Sequence, residues 1–516
     1  MSIWIITTGS SDVQLKNESE KNWNILRGKA TSELGINKQF SPTKSKVNQR
    51  SLYPARAMGV VYGSAIDQHY GDLVFPLLDN FWSLFTEKEI TPQRIIVLVT
   101  DQTQFFKDKA SEKNQVFSPY WQDTCTLEPL LRHYLVGKST VTPEFLTLEA
   151  DKSGLDNWNE VLELVQKKLA DLKDIPQNAT VYVSHQAGTP AISSAVQFAS
   201  LAQFGDRVEF LVSSEQDKTL TDTVKSGSYL RGIKKEQAKI LLKHHDYAGV
   251  RNLLSKYLDS EAELLLDAAI QWNFAEFGEC KNKLKEHPHF TLAVEDRTRE
   301  ENWWWTAYEA AYLGIVRLEQ GNTVEAFFHS FRSFEGIFAS WGKHKLGNQF
   351  GEYLEVQHNI SYLDLSVLDV TEKEYFSGKK PKELKKELKK RQDELRDKDK
   401  EERLMLDMAM LCKFFKAYRY QDYKHNCEEL KIFWDDDKQN NVSEKRNLIV
   451  HQIQGMSKKD LMSFWGISLS EEWEARLLKF LNFIVKDDFT NGFGSLKEAS
   501  LMSQVHTELE KTIENL

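Results

Sequence analysis

The chain has 516 residues, of which 41% are hydrophobic and 28% charged, a balance that excludes a largely disordered or fibrous design. At roughly 150 residues per domain, this length predicts three or four domain-sized units. With 67 basic and 76 acidic residues the net charge is −9, so any polyanion must meet a local basic site rather than the surface at large.

Residues 1–225 alternate two kinds of segment. Ile3–Ile6, Arg94–Thr100, Thr180–Ser184 and Val208–Ser213 are short apolar or β-branched runs, the pattern of strands buried on both faces. Between them, Asn157–Leu172 sets Trp158, Val161, Leu162, Val165, Leu169 and Leu172 on one helical stripe, and a second helix is predicted from Ala191 to Gln203. Strands alternating with helices predict crossover units and an open parallel sheet, an α/β Rossmann-like domain. The polar segment Ser10–Arg50 predicts loops or a lid.

After Ser228 the strand signal fades and helical stripes follow one another. Ser260-Glu-Ala-Glu263, Ser457-Lys-Lys-Asp460 and Ser495-Leu-Lys-Glu498 resemble capping boxes. Residues 229–300 read as a helical connector and 301–516 as an all-α domain, with Trp303-Trp304-Trp305 as core anchors. Residues 307–335 have a faint tetratricopeptide look, but no third copy follows at fixed spacing, and a solenoid needs three. Lys379–Arg403 is almost entirely charged and predicts a solvated helix or a mobile insertion, with an RNA-guiding arm as the sharper alternative.

Two strand–helix junctions of the first domain carry the candidate ligand groups. Ile3–Ile6 runs into Thr7-Thr-Gly-Ser-Ser-Asp12, and Val181–Ser184 runs into His185-Gln-Ala-Gly-Thr-Pro190. Gly188 permits an otherwise costly backbone angle, Thr189 is a good N-cap, and Pro190 suits the first helical turn. A helix N-terminus behind such a loop is an anion site, and ligands of open α/β sheets settle at the carboxyl ends of strands. Thr8, Gly9, Ser10, Ser11, His185, Gln186, Gly188 and Thr189 are the candidates for a nucleotide-like ligand. The dinucleotide fingerprint is absent. Gly336…Gly342-Lys343 fails as a P-loop in spacing, in His344 and in its helical setting, so neither ATP hydrolysis nor NAD chemistry is expected.

The second candidate is Arg446-Asn-Leu-Ile-Val-His451. Residues five apart on a helix differ by about 140° net, so Asn447 stacks over His451 and the long Arg446 side chain reaches around. A histidine of near-neutral pKa can take a proton from a ribose 2′-hydroxyl or give one to a leaving oxygen. A guanidinium steadies charge on the phosphate, and Asn447 can orient the imidazole or hold an oxygen. The plain alternative is a surface arginine and a core histidine. His244-His245 and His287-Pro-His289 lack metal-ligand partners and read as surface residues. Cys125, Cys280, Cys412 and Cys427 form no C-x-x-C pair, which predicts neither a disulfide framework nor a zinc ribbon. No metal and no other cofactor is expected. No basic leader precedes Thr7 and no apolar run reaches about 18 residues, so a soluble cytoplasmic protein is expected.

Arg446-Asn447 to His451 in a late helical domain resembles the active-site motif of HEPN ribonucleases. The N-terminal sheet with its Thr7–Asp12 and Ser184–Pro190 loops resembles a CARF domain. Together the two resemble the type III CRISPR ancillary ribonucleases of the Csm/Csx kind, with a CARF domain over 1–228, a connector over 229–300 and a HEPN domain over 301–516. The resemblance implies a homodimer that binds a cyclic oligoadenylate across its two-fold axis, with cyclic tetra-adenylate the first guess and hexa-adenylate the second. It implies a composite site of two Arg446/Asn447/His451 sets cutting single-stranded RNA, without metal, to 2′,3′-cyclic phosphate and 5′-hydroxyl ends. It also implies slow activator cleavage in the CARF domain, which Thr8, Ser10 or His185 could assist. Competing expectations are a non-catalytic nucleotide-sensing dimer whose helical part docks a partner, and a HEPN toxin held by an antitoxin. The large α/β domain argues against the toxin.

Overall fold

A computed structural model describes residues 1–34, 40, 43–44, 51–115, 117–150, 153–214, 217–358, 360–370, 375–398, 400–419 and 455–516. The chain divides into two compact units, Met1–Ile233 and Lys234–Leu516.

The first unit is built on six strands: β1 (Ser2–Thr7), β2 (Arg94–Asp101), β3 (Glu144–Glu149), β4 (Thr180–Ser184), β5 (Val208–Val212) and β6 (Asp222–Lys225). Their order is β6-β5-β4-β1-β2-β3, all neighbours parallel except the β5–β6 pair. The chain builds outward from β1 in one direction and from β4 in the other, so the order reverses between these two strands. That reversal is where an open α/β sheet leaves a crevice.

Alternate side chains of each strand serve opposite faces. Trp4 and Ile6 pack with α1 (Ala55–Tyr62) and α2 (Pro76–Glu87), whereas Ile3 and Ile5 pack with α3 (Trp158–Ala170) and α4 (Pro190–Phe204). Burial on both faces is why the central strands read as unbroken apolar runs. The four strands expected from sequence are present. The edge strands β3 and β6 escaped because most of their side chains are only half-buried or exposed. Asn157 caps α3 by accepting the Glu160 N–H; Val161, Val165 and Leu169 are buried, while Trp158 at the head of the stripe stays 58% exposed.

The described part of Ser10–Arg50 is not a simple loop or lid. Gln14–Leu15 and Thr43–Lys44 join Ser51–Leu52 and Leu73–Val74 in a small antiparallel sheet. The helix Glu20–Lys29 buries Trp23 against Tyr53, with ring centroids 3.8 Å apart. Trp23 and Leu26 together seat an otherwise polar helix.

The second unit is mostly helical, and its larger helices include α5 (Trp305–Glu319), α6 (Thr323–Trp341), α7 (Lys379–Arg396), α8 (Met408–Tyr418), α9 (Ser470–Val485) and α10 (Leu501–Asn515). Aromatic packing ties them: Phe334 of α6 stacks on Phe480 of α9 at 4.3 Å, and Trp341 meets Phe415 of α8 edge-on at 5.1 Å. The preceding helices share a core with α10 through Leu265, Trp272, Val505 and Leu509. Trp304 is buried and Trp303 and Trp305 pack partly against the core.

The structure corrects several readings of this region. It is not all-α: Leu354–Gln357, Ile360–Asp364 and Arg403–Met405 form a three-stranded antiparallel sheet, whose short, mostly exposed strands give little periodic signal. The helix at 260 is capped by Asp259, which accepts the Ala262 N–H at 2.8 Å, rather than by Ser260. The Ser457–Asp460 capping box is present. At Ser495 the hydroxyl accepts the Glu498 N–H, but the Glu498 carboxylate turns to Gly494. His245 and His287 are buried, not surface residues, because His245 hydrogen-bonds the Tyr247 hydroxyl at 2.8 Å and His287 packs on Phe290.

Candidate functional site

The loops after β1 and β4 meet at the point where the strand order reverses. In the first, the Gly9 N–H donates to Asp12 Oδ2 at 2.7 Å and the Asp12 N–H returns to the Gly9 carbonyl at 3.2 Å. In the second, Gly188 adopts φ +95°, the left-handed region open to glycine. Thr189 then caps α4 by accepting the Ile192 N–H at 3.2 Å and donates to the Leu155 carbonyl at 2.9 Å. A Cβ on Gly9 would stand 2.9 Å from the Gly188 nitrogen. Glycine at position 9 is therefore what lets the two backbones touch.

The two loops line a cavity of about 530 Å³ through Thr8, Gly9, Ser10, Ser11, Gln186, Gly188 and Thr189. Seven of the eight expected ligand residues are thus brought together. His185 is not among the lining residues: its ring lies edge-on to Phe210 at 5.2 Å, its Nδ1 is 3.1 Å from Ser193 Oγ, and burial lowers its pKa. The Thr8 hydroxyl is committed inward, 2.8 Å from the Leu98 carbonyl oxygen and 2.7 Å from Thr124 Oγ1. Ser10 donates to Gln122 Oε1 at 2.6 Å on the cavity rim.

The end of β2 and the segment after it, which was not singled out from sequence, line the cavity through Thr100, Gln102, Phe117, Pro119, Gln122 and Asp123. Behind it lies a buried cluster. Arg56 of α1 donates to Asp123 at 2.8 Å, to Asp101 at 2.7 Å and to the Tyr120 carbonyl at 2.8 Å, with its guanidinium 4.0 Å from the Tyr120 ring. The shared cation affects the two acids differently. Burial raises the Asp123 carboxyl despite Arg56 and Gln102. At the more exposed Asp101 burial also pushes upward, but hydrogen bonds from Thr103 and Arg56 outweigh it and the pKa falls. Among the described residues no Lys or Arg lines the cavity, and the one carboxylate there, Asp123, is already paired. Such a wall offers backbone N–H groups at the start of α4, amides, hydroxyls and apolar surface, which suits phosphates with attached bases.

Among the described residues no group of three or more potential metal ligands lies together, and no helix is long and apolar enough to cross a membrane. No sequence-family profile matches the chain, and no curated protein does. Among solved structures, Enterococcus italicus Csm6 bound to cyclic hexa-2′-fluoro-hexa-dAMP is similar, with a TM-score of 0.53 and 11% identity, covering 84% of this chain and 94% of that one. The chain has a Csm6-like fold. At this identity the likeness speaks for the architecture, an α/β sheet region followed by a mostly helical one.

Within the Csm6-like fold, Arg446, Asn447 and His451 lie outside the described residues. The chain on either side is anchored in the helical unit. Arg419 is buried and donates to the Phe483 and Ile484 carbonyls at 3.3 and 3.0 Å. The Met456 carbonyl accepts from the Thr323 hydroxyl at the start of α6. The residues missed in the α/β unit, Gln102, Gln122 and Asp123 above all, were hidden because they sit in an irregular polar loop. The one available signal was its place at the carboxyl end of a predicted strand.

Proposed function

We propose that the chain is a messenger-activated endoribonuclease: a cyclic oligoadenylate binds at the β1/β4 crevice and switches on cleavage of single-stranded RNA by the helical unit. The observation that carries this reading is the meeting of the Thr8–Ser11 and Gln186–Thr189 loops in one cavity at the strand-order reversal, within a fold similar to a protein bound to a cyclic hexa-adenylate analogue. The neighbour's ligand moves the hexa-adenylate ring ahead of the tetra-adenylate ring as the first activator to try. A two-fold ring calls for a two-fold protein, so the working unit is a homodimer with the ring on its axis. Ring binding biases a pair of Arg446/Asn447/His451 sets toward their cutting arrangement, a coupling between two sites.

In that composite site one His451 takes the proton from a ribose 2′-hydroxyl, which attacks the adjacent phosphorus as the P–O5′ bond breaks, and the 5′-oxygen leaves with a proton given by the imidazolium of the other His451. Arg446 stabilises the charge that builds on the phosphate and Asn447 orients the imidazole or a phosphate oxygen. The products are a 2′,3′-cyclic phosphate and a 5′-hydroxyl, with no metal ion required. Of the groups expected to assist ring opening in the crevice, Ser10 has its hydroxyl on the rim. The protein acts in the cytoplasm, where its RNA substrate is.

The test is cleavage of a fluorophore-quenched single-stranded RNA in EDTA with hexa-adenylate, tetra-adenylate or no ring. One ring alone should activate, and His451→Ala should cut at least ~100-fold more slowly while binding the ring unchanged. Full activity in His451→Ala would move the active site elsewhere. Silence with every ring, alongside calorimetric ring binding, would replace this reading with the non-catalytic sensor.

A further inference from the structure

Helix α7 carries nine Lys or Arg and four Asp or Glu in a chain whose net charge is −9. The structure shows it to be seated rather than a free insertion. Leu384 and Leu388 enter the core of the helical unit, and Gln392 is fully buried, donating to the Leu365 carbonyl, Asp369 and Glu402.

Its flanks are neutralised by specific pairs. Lys389 and Arg396 bind Asp369, and Arg396 also binds Glu402. Glu383 pairs with Lys380, and Glu387 pairs with Lys413 of α8. Lys385 lies over the Phe376 ring. Lys379, Lys382, Lys386 and Lys390 remain, all exposed, with the exposed Arg391 off to one flank. At about 100° per residue the four lysines fall on the side opposite Leu384, Leu388 and Gln392, roughly one per turn over about 16 Å. None of the four forms an ion pair within 4 Å of a carboxylate among the described residues, although Glu383, held by Lys380, lies within electrostatic reach of Lys379 and Lys386. Asp393 ends the line on the same face.

We propose that this lysine line binds the phosphodiester backbone of the RNA substrate, a contact additional to the Arg446/His451 motif. The inference rests on the ribonuclease reading above and supplies the local basic surface that an acidic chain needs to hold a polyanion. The chemistry favours nucleic acid over an acidic protein. Protein interfaces are depleted in lysine and centre on apolar or aromatic groups, and this face presents no apolar residue. A row of compact, freely rotating ammonium groups instead suits successive phosphates without reading sequence.

The test compares Lys382→Gln/Lys386→Gln/Lys390→Gln with its parent, both carrying His451→Ala so that RNA stays intact. Anisotropy with a labelled single-stranded RNA of about 20 nucleotides is followed from about 50 to 300 mM KCl, where each lost phosphate contact removes about 0.7 from the salt slope. The expected result is a slope shallower by about 2, an affinity at least ~10-fold weaker at low salt, and an unchanged melting temperature. In the cleaving enzyme the same three changes should raise KM and leave kcat alone. An unchanged slope and affinity, with the enzyme that retains His451 still cutting RNA, overturns the lysine line and spares the ribonuclease reading. A parent that does not bind RNA, together with an enzyme retaining His451 that cuts none with any ring, overturns both. Tighter binding of polyglutamate than of RNA, lost in the triple variant, overturns the RNA assignment in favour of an acidic protein.

Discussion

Asp123 in the α/β unit and Glu309 in the helical unit are both buried carboxylates, 1% and 2% exposed. Asp123 has a counter-cation, Arg56 at 2.8 Å, and forms part of a cavity wall. Glu309 is held by neutral donors: Trp272 Nε1 at 2.8 Å, the Ser500 hydroxyl at 2.6 Å and the Leu501 N–H at 2.7 Å. The last two open α10, so Glu309 is an interior carboxylate set at a helix N-terminus, where negative charge is favoured. Burial pushes both carboxyls upward. The difference teaches where each unit spends its charge. In the crevice the charge is used up inside the wall, so the surface left for a ligand is neutral and hydrogen-bonding. In the helical unit the buried charge is scaffold, joining the helix Ser260–Asn273, α5 and α10.

The sharpest way to break this comparison is to remove the cation. Arg56→Ala leaves Asp101 and Asp123 without their shared counter-cation, and breaking a buried pair from one side costs about 3 kcal/mol or more. Thermal unfolding should show that loss, and adding Asp123→Asn should recover part of it. A change under ~1 kcal/mol would mean that water reaches the cluster, and the crevice wall would then no longer count as neutral.

A smaller effect should separate the two acids by pH. The Glu309 carboxyl ionises near 4.5 when exposed and higher when folded, chiefly through burial. Between those two values the native state holds more protons than the unfolded chain, so this group's contribution to stability falls as pH rises. Glu309→Gln keeps a carbonyl oxygen for two of the three donors and cannot ionise. Its cost should be on the order of 1 kcal/mol near the low end of that window and shrink toward neutral pH. Urea unfolding at several pH values checks this, and a cost independent of pH would show that Glu309 does not titrate in the window.

How much of this was legible in the sequence depends on the same physics. The four central strands were legible because burial on both faces forces unbroken apolar runs, and the Gly188-Thr189-Pro190 junction was legible because each residue answers a backbone demand. That His185 does not line the cavity was not legible, because sequence gives the loop but not which way a side chain turns; its ring meets Phe210 and Ser193 instead. Asp123 and Gln102 had no periodic pattern to mark them, and their importance arises only when Arg56, far earlier in the chain, folds against them. In the helical unit, α7 was visible as a charged run, but its division into paired flanks and an unpaired line depends on Asp369, Glu402 and Lys413, which only the fold brings near.

The smallest expected effect tests whether the neutral crevice recognises bases. Phe117 lines the cavity, yet its side chain is 91% exposed, so it has little packing to lose and its removal should leave the melting temperature unchanged. An aromatic face on the rim is a platform for a base, and such stacking contributes about 1 kcal/mol at the low end, or about fivefold in affinity. Phe117→Ala should therefore weaken ring binding by about that factor in calorimetry, and Phe117→Trp should retain it. The loss should persist at high salt, because stacking, unlike the lysine contacts of α7, releases no counterions. Equal affinity for both variants would remove Phe117 from the site and leave recognition to the backbone and amides of the two meeting loops.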